Sequence, residues 1–321
     1  MKRRQNSPQI ITLNDVKSLL NQSDLYGLIT EGFIQHSKGN AVIPPVGELL
    51  FDNPPGEAHI KYGYIKDMPY YVVKIASGFY NNPLIGLPSS QGLNLLFDCK
   101  TGVLLAIILD EGHLTNVRTA VAGAVATKAL ANSGAKRVGI LGTGTQGYMQ
   151  YHYLSEYMDI ESVSYWGIDK DQTENLVNKI NATNSIAKSE DSIEKLCAES
   201  DIIITTTPAT QYLIKSSWIK PGTHITAVGS DTPDKCELDS NILMSADIVV
   251  SDSIEQSKTR GEVYRARLAG YNATNLLELG NVLNMPNSIR TDSNQITVAD
   301  LTGVAVQDLM VSQAVYNAII D

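Results

Sequence analysis

The stretch from residue 136 to residue 147, KRVGILGTGTQG, constrains this chain more than any other. The apolar run VGIL reads as a buried strand, and it ends directly in the glycines Gly142, Gly144 and Gly147. In a strand-to-helix turn of this kind the first glycine permits the sharp turn. The second lets backbone N–H groups approach a pyrophosphate, and the third lets the helix pack closely on the strand. The helix start then offers unpaired N–H groups and a positive dipole end to the phosphates. A purely structural glycine turn is the alternative, and the flanking strand and helix favour the dinucleotide. The placement is unusual, because a simple nucleotide-binding domain begins near its motif and here a long segment comes first. At 321 residues the chain is long enough for two domains, each with its own core.

Beyond the turn, strands and helices alternate. SVSYWGID (162 to 169), DIIITTTP (201 to 208), THITAVGSD (223 to 231) and ADIVVSD (246 to 252) read as strands. DQTENLVNKINAT reads as a helix that places Leu176, Val177 and Ile180 on one face. Such βαβ crossovers predict a Rossmann-type, doubly wound parallel sheet over residues 117 to 298. Upstream, YYVVKIASGFY, GLNLLFD and GVLLAIILD are strand-like and separated by Asn-Asn-Pro, Gly-Leu-Pro and Lys-Thr-Gly turns. Short turns imply hairpins, hence an α+β domain with a mixed or antiparallel sheet. The closing QITVADLTGVAVQDLMVSQAVYNAII reads as a short strand and an amphipathic helix returning to that domain. The α+β domain is then discontinuous, residues 1 to 116 and 299 to 321, and the joining segments are expected to floor an interdomain cleft.

Composition excludes several classes. A net charge of −9 argues against a nucleic-acid partner, which needs a basic surface. Three cysteines without CxxC spacing fit a reducing compartment and suggest neither a disulfide framework nor a metal site. No apolar h-region follows the basic start, and no apolar run approaches about 18 residues, so a cytoplasmic protein with no membrane partner is expected.

In LTNVRTAVAGAVATKALANSGAKRV, small and apolar residues recur with helical period, Gly134 stands at the expected stop and Thr115 is a good N-cap. Arg118 then falls at the third helical position, where the dipole disfavours a cation. It is either a surface residue paired to a loop carboxylate or a binder of an anion, the pyrophosphate or a substrate carboxylate.

LTNVRTAVAGAVATKAL followed by VGILGTGTQG, VGSDTPDKCELDSNIL and ADIVVSD resembles the ornithine cyclodeaminase and mu-crystallin family. The resemblance runs through KIASGFYNNPLIGLP and the closing TGVAVQDL, nearly the whole chain. It implies an NAD(P)-dependent oxidoreductase acting at the carbon–nitrogen centre of a small amino acid or its imine. One alternative is an ornithine cyclodeaminase that makes proline and ammonia with catalytic NAD. The other is a non-enzymatic binding protein of the crystallin type. The resemblance also implies a homodimer formed through the first domain.

Lys74 matches the family lysine, either on an exposed strand face or turned towards substrate to hold a carboxylate and polarise the imine. Asp231, in the Gly-x-Asp-x-Pro motif, matches the catalytic aspartate that would give or take the nitrogen's proton; its other reading is an N-cap for a helix after Pro233. Glu57 corresponds roughly to an acid contacting the distal amine in cyclodeaminases, or is a solvated carboxylate. Where family members carry a carboxylate-clamping arginine this chain has Val46. Lys61 or His59, which share one face of a strand, would then supply the missing charge, unless they are only its polar side.

Asp169 ends the second strand as expected of a carboxylate on the ribose hydroxyls of NAD, or it caps the next helix. Ile168 stands where NADP users tend to carry arginine, although Lys170 follows. NAD is favoured, with NADP not excluded. Cofactor contacts are expected from Gly142, Gly144, Thr145, Gln146, Gly147, Asp169, Thr206, Thr115 and Arg118.

Overall fold

The structure, a computed structural model, describes residues 7–20 and 23–320. The first elements are β1 (Gln9–Thr12), α1 (Leu13–Leu20), α2 (Leu25–Ser37), β2 (Ala41–Val42), β3 (Gly47–Asp52), β4 (Pro55–Ile65), β5 (Tyr70–Gly78), β6 (Ser90–Asp98), β7 (Leu104–Leu109) and α3 (His113–Leu130). Then come β8 (Arg137–Leu141), α4 (Thr145–Tyr157), β9 (Ser162–Trp166), α5 (Lys170–Asn181), β10 (Ala187–Ser189), α6 (Ile193–Glu199), β11 (Ile202–Thr205), β12 (His224–Ala227), α7 (Ser240–Ser245) and β13 (Ile248–Ser251). The last are α8 (Gly261–Leu268), β14 (Leu277–Glu278), α9 (Leu279–Leu283), β15 (Thr297–Asp300) and α10 (Ala305–Ile320). The chain forms two compact units, one running to Arg118 and resuming at Val304, the other Thr119–Gly303.

In the first unit a mixed sheet has the order β1-β7-β6-β5-β4-β2, with β3 also paired to β4. β1 runs parallel to β7, and the other pairs are antiparallel. Strand alternation separates two faces. Ile65, Val72, Leu96, Ala106 and Ile11 are fully buried on one. α10 packs on β4, β5 and β6 and against α1 and α2. Its residues Ala305–Ser312 are buried without a break, so over its first two turns this helix is enclosed, not amphipathic as its sequence suggested.

The second unit holds an all-parallel sheet in the order β10-β9-β8-β11-β12-β15-β13-β14. Ile202–Thr205, His224–Ala227 and Thr297–Asp300 are buried along their whole length, the signature of strands covered on both faces. β15 was expected to join the domains at the floor of a cleft. It instead lies inside this sheet, paired to β12 on one side and β13 on the other. The order reverses between β8 and β11, the point where open α/β sheets bind their ligands.

Candidate active site

The glycine turn closes the end of β8. Gly142 adopts φ 110°, which only glycine takes without strain. A Cβ on Gly147 would lie 2.2 Å from the Gly142 carbonyl oxygen, so α4 can approach the strand only with glycine there. Gly144 differs, because a Cβ there would meet nothing within 4 Å. It is the N-cap of α4 and, being glycine, offers no side-chain capping bond to the first N–H groups of the helix. Thr206, just past β11, donates from Oγ1 to the Leu141 carbonyl at 3.0 Å and so pins the two strand ends that flank the switch point. Gln146 accepts from Gln150 Nε2 at 3.2 Å. These features fit a dinucleotide pyrophosphate, held by the α4 amides across Gly144.

Asp169 does cap α5, its Oδ1 accepting from the Gln172 N–H at 3.0 Å. Ile168 beside it is 96% exposed. Lys170 is paired to Asp191 at 2.8 Å, so its charge is spoken for. Thr115 is not the N-cap of α3. The helix starts at His113, and Asp110 caps it by accepting from the Leu114 N–H at 2.6 Å. The reason lies in the preceding turn, where Glu111 and Gly112 both take positive φ and bring the Asp110 carboxylate under the helix start. Arg118 therefore sits further into α3 than expected.

Arg118 is buried, and its partner lies on a helix instead of a surface loop. Nε donates to Asp308 Oδ1 at 3.1 Å and one terminal nitrogen donates to Gln307 Oε1 at 2.7 Å, both on the first turn of α10. Lys74 is 2% exposed and Lys61 4%, which excludes an exposed strand face for either. The register sets Lys61 directly opposite Lys74, and Lys74 opposite Asn94. His59 lies on the same side of β4, paired to Glu48 at 3.1 Å. Glu57 lies further along that side and accepts from the Tyr80 hydroxyl at 2.8 Å.

Asp110 and Asn94 were not singled out in the sequence. Burial pushes the Asp110 carboxyl up to about 6, opposed by the Leu114 N–H and the Lys74 charge. Oδ1 of Asp110, Oδ1 of Asn94 and Oδ2 of Asp308 are buried acceptors with no hydrogen-bond partner. For Asp110 and Asn94 the one signal in the sequence was Asn94, polar within the apolar run LNLLF.

In the second unit Asp231 follows β12 in a loop. No helix begins after Pro233, and the next one, α7, is capped by Asp239, so the N-cap reading of Asp231 fails. Lys235 Nζ lies 2.7 Å from Asp231 Oδ1, and Arg260 donates to the Asp231 carbonyl at 3.3 Å. Buried acids anchor this loop. Glu237 accepts from the Thr205 and Thr207 hydroxyls and the Thr207 and Gly229 N–H groups. Glu262 accepts from the N–H groups of Glu237 and Leu238, and Asp300 from those of Glu262 and Val263. Burial raises the Glu237 and Asp300 carboxyls to about 7, and burial with the neighbouring acids raises Glu262 well above the usual carboxylate range.

A glycine-cradled helix start at the switch point of a doubly wound parallel sheet is the arrangement of a dinucleotide-dependent enzyme. Residues 6–321 match the model of the ornithine cyclodeaminase/mu-crystallin family, and the chain belongs to that family. It is similar to a protein of Sinorhizobium fredii that carries the name uncharacterized cyclodeaminase y4tK, 38% identical over 87% of this chain and 85% of the relative. Its fold is similar to an archaeal alanine dehydrogenase dimer with bound NAD, with TM-score 0.90, 31% identity, and coverage of 98% of this chain and 96% of the other. It is also similar to the Δ1-pyrroline-2-carboxylate reductase of Thermococcus litoralis in complex with NADH and L-proline, with TM-score 0.91, 27% identity and 97% of each chain covered.

Proposed function

We propose that this protein is an NAD-dependent enzyme acting at the carbon–nitrogen centre of a small amino acid or its imine, working as an imine reductase or amino-acid dehydrogenase. The observation that carries the reading is the polar layer of the first unit. Lys61, Lys74 and Arg118 supply buried cations for a carboxylate, while Asn94 Oδ1 and Asp110 Oδ1 are buried acceptors still lacking a donor. An α-amino or α-imino acid carries both complements, and a buried acceptor left unmet costs about 1–3 kcal/mol.

When bound, NAD(H) gives or takes a hydride at the substrate carbon. Lys74 and Arg118 orient the carboxylate, Arg118 being held in place by Asp308 and Gln307. Asp231, oriented by Lys235, gives or takes the proton on nitrogen. Gly142, Gly144, Thr145, Gln146, Gly147 and Thr206 hold the pyrophosphate, and Asp169 the ribose, with Thr115 on the same side of the reading. The engaged Lys170 and exposed Ile168 support NAD over NADP. The bound NAD and NADH of the solved relatives support the same choice.

A homodimer belongs to the reading. The face of the first unit's sheet opposite the helices is apolar and partly exposed, with Tyr62, Tyr64, Ile75 and Leu109 open to solvent. The alanine dehydrogenase relative is a dimer. No helix among the described residues is long and apolar enough to cross a membrane. A cytoplasmic location is proposed on the three free thiols, of which Cys197 and Cys236 are buried. Ornithine cyclodeamination is the second reading, favoured by Glu57 lying on the same side of β4 as Lys61.

The test is absorbance at the reduced-nicotinamide band with NADH, offering keto acids with ammonia and cyclic imines, in parallel with L-ornithine and NAD assayed for proline. Net NADH oxidation that Asp231→Asn removes supports the reductase reading. Proline without net absorbance change supports the cyclodeaminase, and no turnover on either panel overturns both.

A further inference from the structure

In the second unit one carboxylate ties together the two loops that follow β11 and β12. Oε1 of Glu237 accepts the Thr207 N–H at 2.6 Å and the Thr207 hydroxyl at 2.7 Å. Oε2 accepts the Gly229 N–H at 2.9 Å and the Thr205 hydroxyl at 2.7 Å. Each oxygen therefore holds one backbone amide, and the two amides belong to different loops. The loops meet at Gly229, where a Cβ would lie 2.3 Å from the Thr207 carbonyl oxygen. The main chain of Glu237 is fixed as well. Its N–H donates to Glu262 Oε1 at 2.7 Å, and its carbonyl accepts from the Leu213 N–H at 2.8 Å.

Both loops carry residues of the proposed site. Thr206 stands between the two threonines and bonds to the Leu141 carbonyl, immediately before the glycine turn. Asp231 follows Gly229 by two residues, and its N–H donates to the Gly229 carbonyl at 3.2 Å. A shift of the Gly229 amide is thus passed to Asp231 through one short turn. Glu237 is fully buried, and burial pushes its carboxyl up to about 7 against those four hydrogen bonds. Ionising a buried carboxyl costs stability that a glutamine of nearly the same size would keep. What glutamine lacks is the second acceptor oxygen. Whichever way its amide turns, the NH2 group faces either the Thr207 or the Gly229 N–H, whereas the threonine hydroxyls can rotate to accept from it.

We infer that Glu237 is a positioning residue that sets the placement of Asp231 relative to the loop holding the cofactor, an assignment that rests on the proton-transfer role proposed for Asp231 above. Hydride and proton are exchanged at adjacent atoms of one carbon–nitrogen bond, so the loop that holds the cofactor and the loop that carries the acid must be in register. Glu237 clips Gly229 to Thr207 and so fixes Asp231 against Thr206 and the glycine turn. With no exposed surface of its own, it acts through the two amides it joins. Glu262 holds the clip from behind by accepting the Glu237 and Leu238 N–H groups.

The experiment compares the full-length wild type with Glu237→Gln, Glu237→Asp, Gly229→Ala and the double variant Glu237→Gln/Gly229→Ala. Turnover is followed with NADH and either pyruvate plus ammonia or a five-membered cyclic imino acid, whichever the wild type reduces faster. Glu237→Gln is expected to lower kcat about 100-fold, the scale of a misplacement near 1 Å, while KM stays within about twofold. The Kd for NAD, read by fluorescence, is expected to hold, because Thr206 keeps its own bond to Leu141. The solvent deuterium isotope effect on kcat should rise as proton transfer becomes the slower step. Glu237→Asp, which keeps two acceptor oxygens, should recover part of kcat. Gly229→Ala wedges the same loops apart with Glu237 in place, so the double variant should lose no more than the worse single variant. A Glu237→Gln with wild-type kcat, one that weakens NAD binding and kcat in step, or one whose loss adds in full to that of Gly229→Ala would overturn the inference. Should Glu237→Gln fail to fold, Glu237→Asp and Gly229→Ala carry the test, since both must lower kcat while NAD binding holds. Wild-type turnover in Asp231→Asn would instead remove the reading on which the inference rests.

Discussion

Asp110 ties two functions to one side chain, since one oxygen caps α3 and the carboxyl faces the Lys74 charge. Its raised value, about 6, sets a pH window. As pH rises through 6 the carboxyl ionises, which strengthens its attraction to the Lys74 ammonium and makes Asp110 Oδ1 a stronger acceptor for the substrate nitrogen in the proposed reading. The kcat/KM profile should therefore show an acidic limb near pH 6 that disappears in Asp110→Asn. Because the folded value is raised above the unfolded one, the same ionisation costs stability between about pH 4 and pH 6. Arg118→Lys should raise KM about 10- to 100-fold, since an ammonium cannot reach Asp308 and Gln307 while also presenting a planar fork to substrate. Arg118→Ala goes further and leaves Asp308 buried without its cation, a loss of about 3–5 kcal/mol of stability that chemical denaturation would register. At this scale the sequence announced the chemistry-bearing types. Lys74, Arg118 and Asp231 stood out in motifs, but Asp110, Asn94 and Lys235 did not. Their roles depend on which strands are neighbours and which way a turn points, and neither is encoded by local residue type.

The glycines of the β8–α4 turn separate folding from binding. Gly144→Ala adds a methyl where the protein has open space, so the melting temperature should hold while the Kd for NAD, measured by fluorescence, rises about tenfold or more. Gly147→Ala drives a methyl into the Gly142 carbonyl and should lose both binding and stability. Equal effects of the two substitutions would contradict this division. The strand–glycine–helix pattern was legible because strand, turn and helix are adjacent in sequence and each carries its own signal. The start of α3 was misplaced by three residues, Asn116 against His113, because Thr115 is a strong capping type, whereas the observed cap comes from an aspartate before a positive-φ turn. β15 was recognised as a strand but assigned to the join between domains, since four apolar-flanked residues say nothing about which sheet receives them.

Three coupled carboxyls in the second unit, Glu237, Glu262 and Asp300, are raised by burial. Their unfolded values lie near 4, so folding is progressively disfavoured as pH rises from about 4 through 7, where Glu237 and Asp300 ionise. Asp201, held near 2 by Arg137 and two N–H groups against its own desolvation, acts in the opposite sense, and its contribution is lost only as pH falls below about 4. Thermal unfolding should therefore occur at roughly a few degrees lower temperature at pH 8 than at pH 5.5. A flat profile would show that the carboxyls titrate normally. In the assembled protein, Ile75→Glu on the exposed sheet face should halve the mass seen by sedimentation if that face joins two copies. Both compact units also depend on the last stretch of chain. β15 fills the gap between β12 and β13, and α10 covers β4, β5 and β6. During synthesis, then, neither unit can finish its core until residues 297 to 320 have left the ribosome. A nascent chain stalled before Thr297 would carry two open sheets at once, which makes this protein a natural client for chaperones that bind exposed strands.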